Sequence, residues 1–294
     1  MVTRSKTGSL KPKVHFNLFH NNQQKYALSI LHQAHLQHCN SISNPSCTKL
    51  PAEFQQEEVL SDPVLYRRLT GSLQYLTITR PDIAFTVNTL SQHMQDPQSQ
   101  HVFLLKRLLR YIKGTVDFGL PISKSNLQLT SFSDADWAGD PSTRKSTSGF
   151  CSFLGENLIS WTVKKQHTVA RSSTESEYRA LAALTADVLW LRKLLDEFSI
   201  PQDTPTDIFC DNMSAIAFAN NPVFHARTKH IEIDQKFVRD HILHNAIRIL
   251  RNIVEGLEAA RGIIAEKRCT TLQASLIVVI SAFHAKPSLH LPIQ

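Results

Sequence analysis

Hydrophobic and polar positions change period several times along the chain. Lys25 to Leu36 repeats Leu28, Leu31 and His35 at helical spacing. The polar, basic stretch before it, residues 1–24, carries Gly8, Pro12, Asn21 and Asn22 and is expected to hold little order; Asn40 to Pro51, rich in Ser, Asn and Pro, reads as a linker. From Asp62 the pattern tightens. Asp62 caps a predicted helix with Pro63 at its first position, and Val64, Tyr66, Leu69 and Leu73 share a face. Arg80-Pro81-Asp82 breaks it, and Pro81 starts another helix through Ile83, Phe85, Val87 and Leu90. His101 to Lys113 sets Phe103, Leu104, Leu108 and Tyr111 against Lys106, Arg107, Arg110 and Lys113, a basic amphipathic helix that Gly114 ends.

The period then shortens. Leu127 to Ser133, Gly149 to Leu154 and Leu158 to Val163 are strand candidates, and Gly155-Glu156-Asn157 joins the last two as a hairpin. Ser173-Thr174 with Glu177 reads as a helix start of the S/T-x-x-E type, running to Phe198 with an apolar face from Tyr178 to Leu195. Thr206 to Cys210 is a short strand, Met213 to Ala219 a short helix, Thr228 to Ile242 another, and Ala246 to Val254 a last strand. Strands, long helix, strand and helix in that order make a mixed α/β pattern.

Composition narrows the function classes. The chain has 294 residues, a 42% hydrophobic fraction and a net charge of +7, with an isoelectric point near 9.2. Packed cores are affordable on that composition, and the basic balance favours an acidic partner such as nucleic acid. Five cysteines without a CxxC pair give neither a disulfide framework nor a zinc finger, and His35, His38, Cys39 and Cys47 lack finger spacing. The basic amino terminus has no apolar stretch behind it, so a secretory signal is not expected; an intracellular setting, cytoplasmic or nuclear, is. Leu276 to Ile280 is too short to span a bilayer and reads as a strand or an aggregation-prone tail. There is no nucleophile elbow and no phosphate-binding glycine loop.

The candidate chemistry lies in three acids. Asp134 sits where the first strand runs out, Glu177 in the first turn of the long helix, and Asp211 at the end of the TDIFC strand. Each has a structural alternative: Asp134 as a turn former, Glu177 as a capping-box residue, Asp211 as the N-cap of the helix from Met213. Three acids delivered by strand, helix and strand are a way to build a divalent-metal site, because hard cations want oxygen ligands and carboxylates brought together repel unless a cation neutralises them. Asp136, on the same strand face as Asp134, and Glu175 compete for the same roles.

The segments SFSDADWAGDPSTRKSTSGFCSFLGENLISW, KKQHTVARSSTESEYRALAALTADVLWLRKLL and IFCDNMSAIAFANNPVFHARTKHIEID resemble the ribonuclease H domain of Ty1/copia-type retrotransposon Pol polyproteins, over about Leu127 to Ile249. The family's acids fall on Asp134, on Glu177 in SEYRAL and on Asp211 in the CDN motif. The resemblance implies a ribonuclease H-like mixed five-stranded sheet with flanking helices. It also implies two magnesium ions, replaceable by manganese, held by Asp134, Glu177 and Asp211, and hydrolysis of RNA in an RNA–DNA hybrid. RTKHI, Arg227 to Ile231, would lie near the substrate or in a supporting element. Upstream, Gln24 to Leu120 resembles the thumb and connecting region of the same polyproteins' reverse transcriptase, and MVTRSKTGSLKPK the segment before the polymerase. Fingers, palm and a Tyr-Val-Asp-Asp-like motif do not occur, so no polymerase activity is expected.

The expected organisation is residues 1–24 as a basic terminus, 25–120 as the polymerase remnant, 121–250 as the ribonuclease H-like domain and 251–294 as a divergent tail. Similarity fades after about Ile249: the family ends on an Ala-Asp-Ile-Leu-Thr-Lys-like helix with a fourth acid, whereas Glu255 and Glu258 have no matching aspartate and neither is assigned that role. The alternative to an enzyme is a non-catalytic nucleic-acid-binding remnant that grips phosphates through Lys106, Arg107, Arg110 and Lys113. Neither a membrane nor a disulfide-linked partner is expected.

Overall fold

The computed structural model describes residues 17–47, 62–120, 122–221 and 231–251. The expectations for residues 1–16, for Arg227 to His230 and for the tail beyond residue 251, including Leu276–Ile280, Glu255 and Glu258, lie outside the described residues.

The first part is helical: α1 (Asn17–Gln33), α2 (Pro63–Leu76), a 3-10 turn (Pro81–Ile83), α3 (Ala84–Ser91) and α4 (Ser99–Gly114). Helix α1 begins at Asn17, eight residues before the periodic stretch; buried Ala27, Ile30 and Leu31 pin its C-terminal half, and ahead of Lys25 the Gln23 and Gln24 amides donate to the Phe118 carbonyl at 2.8 Å and to Asp117 at 2.7 Å. The Asp62 carboxylate accepts the Leu65 N–H at 2.9 Å and caps α2. Helices α2, α3 and α4 bury Leu69, Leu73, Leu90, Leu108 and Ile112 around those of α1. On α4 the inward stripe is Leu105, Leu108, Leu109, Tyr111 and Ile112; Phe103 and Leu104 are only half-buried, one step off the stripe that the charged residues suggested.

The second part is a five-stranded sheet in the order β3-β2-β1-β4-β5, from β1 (Leu129–Asp136), β2 (Thr147–Leu154), β3 (Asn157–Lys165), β4 (Thr206–Cys210) and β5 (Ile247–Arg251). The first three strands are antiparallel, while β4 runs parallel to β1 and β5 parallel to β4. Between β3 and β4 the chain crosses through α5 (Ser173–Glu197), and α6 (Met213–Asn220) and α7 (Glu232–Leu243) precede β5. Tyr178, Leu181, Leu184 and Val188 of α5 pack on Leu129, Ile208, Ile247 and Ile249 of the sheet. This is the mixed five-stranded sheet with flanking helices that the sequence led us to expect.

The two parts meet along β3. An edge strand leaves polar backbone groups unpaired, and here α3 packs against that edge. The Asn88 amide donates to the Val163 carbonyl at 3.0 Å, and the Trp161 indole donates to the Thr77 carbonyl at 3.1 Å.

Candidate metal centre

The parallel pairing of β1 with β4 brings two of the acids to one end of the sheet. Thr130 is in register with Asp207, Ser131 with Ile208 and Phe132 with Phe209. Two residues further along are Asp134, within β1, and Asp211, the first residue past β4. Strand β1 continues through Asp136, so Asp134 lies within it rather than at its end, buried at 5% exposure. Pairing with β2 as far as Asp136–Thr147 is what extends it.

Helix α5 supplies the third acid, and its cap decides which glutamate is available. The N-cap is Ser172, whose hydroxyl accepts the Glu175 N–H at 3.1 Å. The Glu175 carboxylate accepts the Arg171 N–H at 2.8 Å and pairs with Arg179 at 2.6 Å. The cap therefore uses Ser172, with Glu175 reaching back to the Arg171 N–H just ahead of it, two residues earlier than the sequence pattern suggests, and Glu177 is released to face the sheet. Its Oε1 accepts the Ala135 N–H at 3.1 Å, and it is hydrogen-bonded to Asp134. Asp211 is relieved of capping in the same way. Asn212 caps α6, accepting the Ala215 N–H at 2.9 Å, and Asp211 stands exposed at the mouth of the cluster. Asp136, the other competitor, accepts the N–H of Thr147, its partner across the strands. A Cβ at Gly139 would collide with its Oδ2, so the turn after β1 folds directly over that carboxylate.

Electrostatics join the three acids. Burial, then the charges of Asp134 and Asp211, push the Glu177 carboxyl up to about 10. One ligand atom each from Glu177, Cys210 and Asp211 lies within 4.8 Å of the others. Asp134 stands outside that grouping and joins it through its hydrogen bond to Glu177. Cys210 was not singled out in the sequence; alternation of Thr206, Ile208 and Cys210 toward the core was the available signal. Burial, then the Glu177 charge, pushes its thiol up to about 12. A thiol held neutral is a poor partner for a hard cation, so Cys210 is a wall of the cluster, and the carboxylate oxygens gathered there belong to Glu177 and Asp211, with Asp134 beside them.

The four basic residues of α4 lie on the helical part. Arg107 Nε donates to the Ser46 carbonyl at 2.8 Å and Arg110 Nε to the Asn40 carbonyl at 2.8 Å, tying the 40–47 segment down. Lys106 is exposed and Lys113 half-buried.

The chain is 42% identical over 232 residues to the retrovirus-related Pol polyprotein from transposon RE2 of Arabidopsis thaliana, covering 79% of this chain and 16% of that one. It is 32% identical over 238 residues to the corresponding polyprotein from transposon TNT 1-94 of Nicotiana tabacum, covering 78% and 18%. With an uncharacterized mitochondrial protein of Arabidopsis thaliana it shares 50% identity over 170 residues, 58% of this chain and 70% of the relative. The chain belongs to the Ty1/copia-type retrotransposon Pol family. It spans about a sixth of the length of the transposon Pol polyproteins it matches. No protein-family model matches it. Among solved structures, a compost-derived ribonuclease H1 aligns at 12% identity and a TM-score of 0.34, covering 47% of this Pol-family chain and 92% of the enzyme. A foamy viral protease-reverse transcriptase, solved with an RNA/DNA hybrid, aligns at 10% and 0.36, covering 69% and 27%. Superpositions that loose add nothing to the strand order already described. No helix among the described residues is long and apolar enough to cross a membrane.

Proposed function

We propose that this Pol-family chain hydrolyses RNA in RNA–DNA hybrids at a divalent-metal site held by Asp134, Glu177 and Asp211. One observation carries the reading: buried Glu177 brings its carboxylate within 4.8 Å of the Asp211 oxygen and hydrogen-bonds Asp134, and burial with the charges of both aspartates raises its carboxyl. Carboxylates left together without a cation repel, and one of them keeps a proton to relieve the repulsion. The donor set, all carboxylate oxygen, suits magnesium or manganese. Bound there, a pair of such ions would activate water and stabilise the leaving oxygen of a phosphodiester.

The chain's own residues do the rest. The Ala135 N–H holds one Glu177 oxygen in place, so the carboxylate is oriented before any ligand arrives. Glu177 gives up its proton to become a ligand, which makes affinity rise with pH. Asp211 offers its carboxylate from the solvent side. Residues 25–120 serve as the thumb-and-connection remnant, and α4 adds phosphate contacts through Lys106 and Lys113, with Arg107 and Arg110 bracing the helix from the 40–47 segment.

The test is cleavage of a labelled RNA–DNA hybrid by the purified full chain with magnesium, beside Asp134→Asn. Cleavage that the substitution removes is expected. A folded wild-type chain that binds the hybrid without cutting it would overturn the enzyme reading and leave the binding remnant, its grip weakening steeply with salt.

A further inference from the structure

The end of the sheet that carries the acids also carries exposed apolar side chains, one from each acid-bearing segment. Trp137, directly after β1, is 52% exposed; Val169, in the connection into α5, is 48% exposed; Met213, two residues past Asp211, is 52% exposed. The indole is not loose. Its Nε1–H donates to the Ala170 carbonyl at 3.1 Å, which fixes the ring while half of it faces water.

The connection that holds the ring is itself anchored at alternate residues. The Gln166 N–H donates to the Ser146 carbonyl at 2.8 Å, and its side-chain amide donates to the Ser176 carbonyl at 3.0 Å. Thr168 is held by Arg179, whose Nη1 donates to its carbonyl at 3.2 Å, and Ala170 is buried against Trp137. His167, Val169 and Arg171 are exposed, as is Thr168 despite its bond to Arg179, with Lys164 exposed just before them. An oriented aromatic face flanked by cations suits a nucleic-acid strand: the ring takes a base face and the cations take phosphates.

We propose that Trp137, with the cationic connection Lys164–Arg171, forms a stacking platform that seats a base of the substrate strand beside the carboxylate cluster. The proposal rests on reading that cluster as a nucleic-acid-cleaving site, and it adds a positioning residue outside the acids. A base stacked on an aromatic residue contributes roughly 1–3 kcal/mol, which is about a 5- to 150-fold change in affinity.

The experiment uses the full chain carrying Asp134→Asn, so that binding is read without turnover. Anisotropy of a labelled RNA–DNA hybrid and of labelled single-stranded RNA is measured for that parent and with Trp137→Ala or Trp137→Phe added. Trp137→Ala is expected to weaken binding by about 5- to 150-fold, Trp137→Phe by much less, and hybrid to quench indole emission in the parent but not in the Phe variant. In the otherwise wild-type chain Trp137→Ala should raise KM and leave kcat nearly unchanged. Binding unaffected by Trp137→Ala, or weakened equally by Ala and Phe, overturns the platform, because equal loss marks only the bond to Ala170. If the wild-type chain does not cleave but Trp137→Ala still weakens binding and Phe restores it, the platform stands and the catalytic reading fails alone.

Discussion

The buried ion pair between Arg80 and Asp82 should hold the helical part together. Arg80 is 1% exposed and Asp82 4%. Arg80 Nε and Nη2 donate to the two Asp82 oxygens at 2.8 and 2.6 Å, while Nη1 and Nη2 donate to the Thr115 carbonyl and hydroxyl at 2.8 Å each. The Tyr111 hydroxyl donates to Asp82 at 2.9 Å, and the guanidinium lies 5.9 Å from the Tyr111 ring centroid and 5.5 Å from that of Phe118. The pair thus joins the 3-10 turn to the last turn of α4 and the residues after it. Neither charge can reach water if the other is removed, so Asp82→Asn or Arg80→Met should each cost about 3–5 kcal/mol. With a urea slope of about 1–3 kcal/mol/M, the unfolding midpoint should fall by roughly 1 M or more. The double variant should cost little more than either single one, because each already loses the whole pair. Tyr111→Phe should cost roughly 1.5–3 kcal/mol, the range for a hydrogen bond to a charged group. The assay is urea unfolding of the full chain followed by circular dichroism. A cost under about 1 kcal/mol for Asp82→Asn, or strictly additive single variants, would refute the buried-pair argument.

Two pH dependences of opposite sign follow from other groups. Glu177 is raised from its ordinary 4.5 to about 10, so the native chain keeps a proton that the unfolded chain releases. In chelator, stability should therefore fall as pH rises from 4.5 toward about 10, and Glu177→Gln should flatten that limb in urea unfolding while removing cleavage; an unchanged limb would count against the cluster. His101 is lowered from 6.5 to about 4 by burial and by His93, stacked on it at 3.8 Å, against the opposing charge of Asp96. Its Nδ1 accepts the Gln98 N–H at 2.9 Å, which requires the neutral ring. Stability from this group should be complete above 6.5 and be lost as pH falls from there to about 4, a loss that His101→Gln should reduce if the His93–His101 stack is its source.

Local pattern, by itself, determined most of the elements. Alternation and helical spacing placed strand β4 and helix α5 to within a residue or so, because each segment's period reflects a face that must be buried. The family motif marked three acids, and the pairing of β1 with β4 brings two of them to one end of the sheet. What local pattern did not determine is which neighbour takes a job that two adjacent residues can do. Glu175 rather than Glu177 closes the cap, and Asn212 rather than Asp211 starts α6. A cap needs its oxygen within reach of particular N–H groups, so it depends on where the helix begins, which packing on the sheet decides. The tertiary structure also decided that Arg80 and Asp82, a break in the sequence pattern, are a buried ion pair closed by residues about 30 positions away. It placed Trp137 in water beside the acids for the same reason: periodicity records which face is buried, while contacts across the sheet record what that face touches.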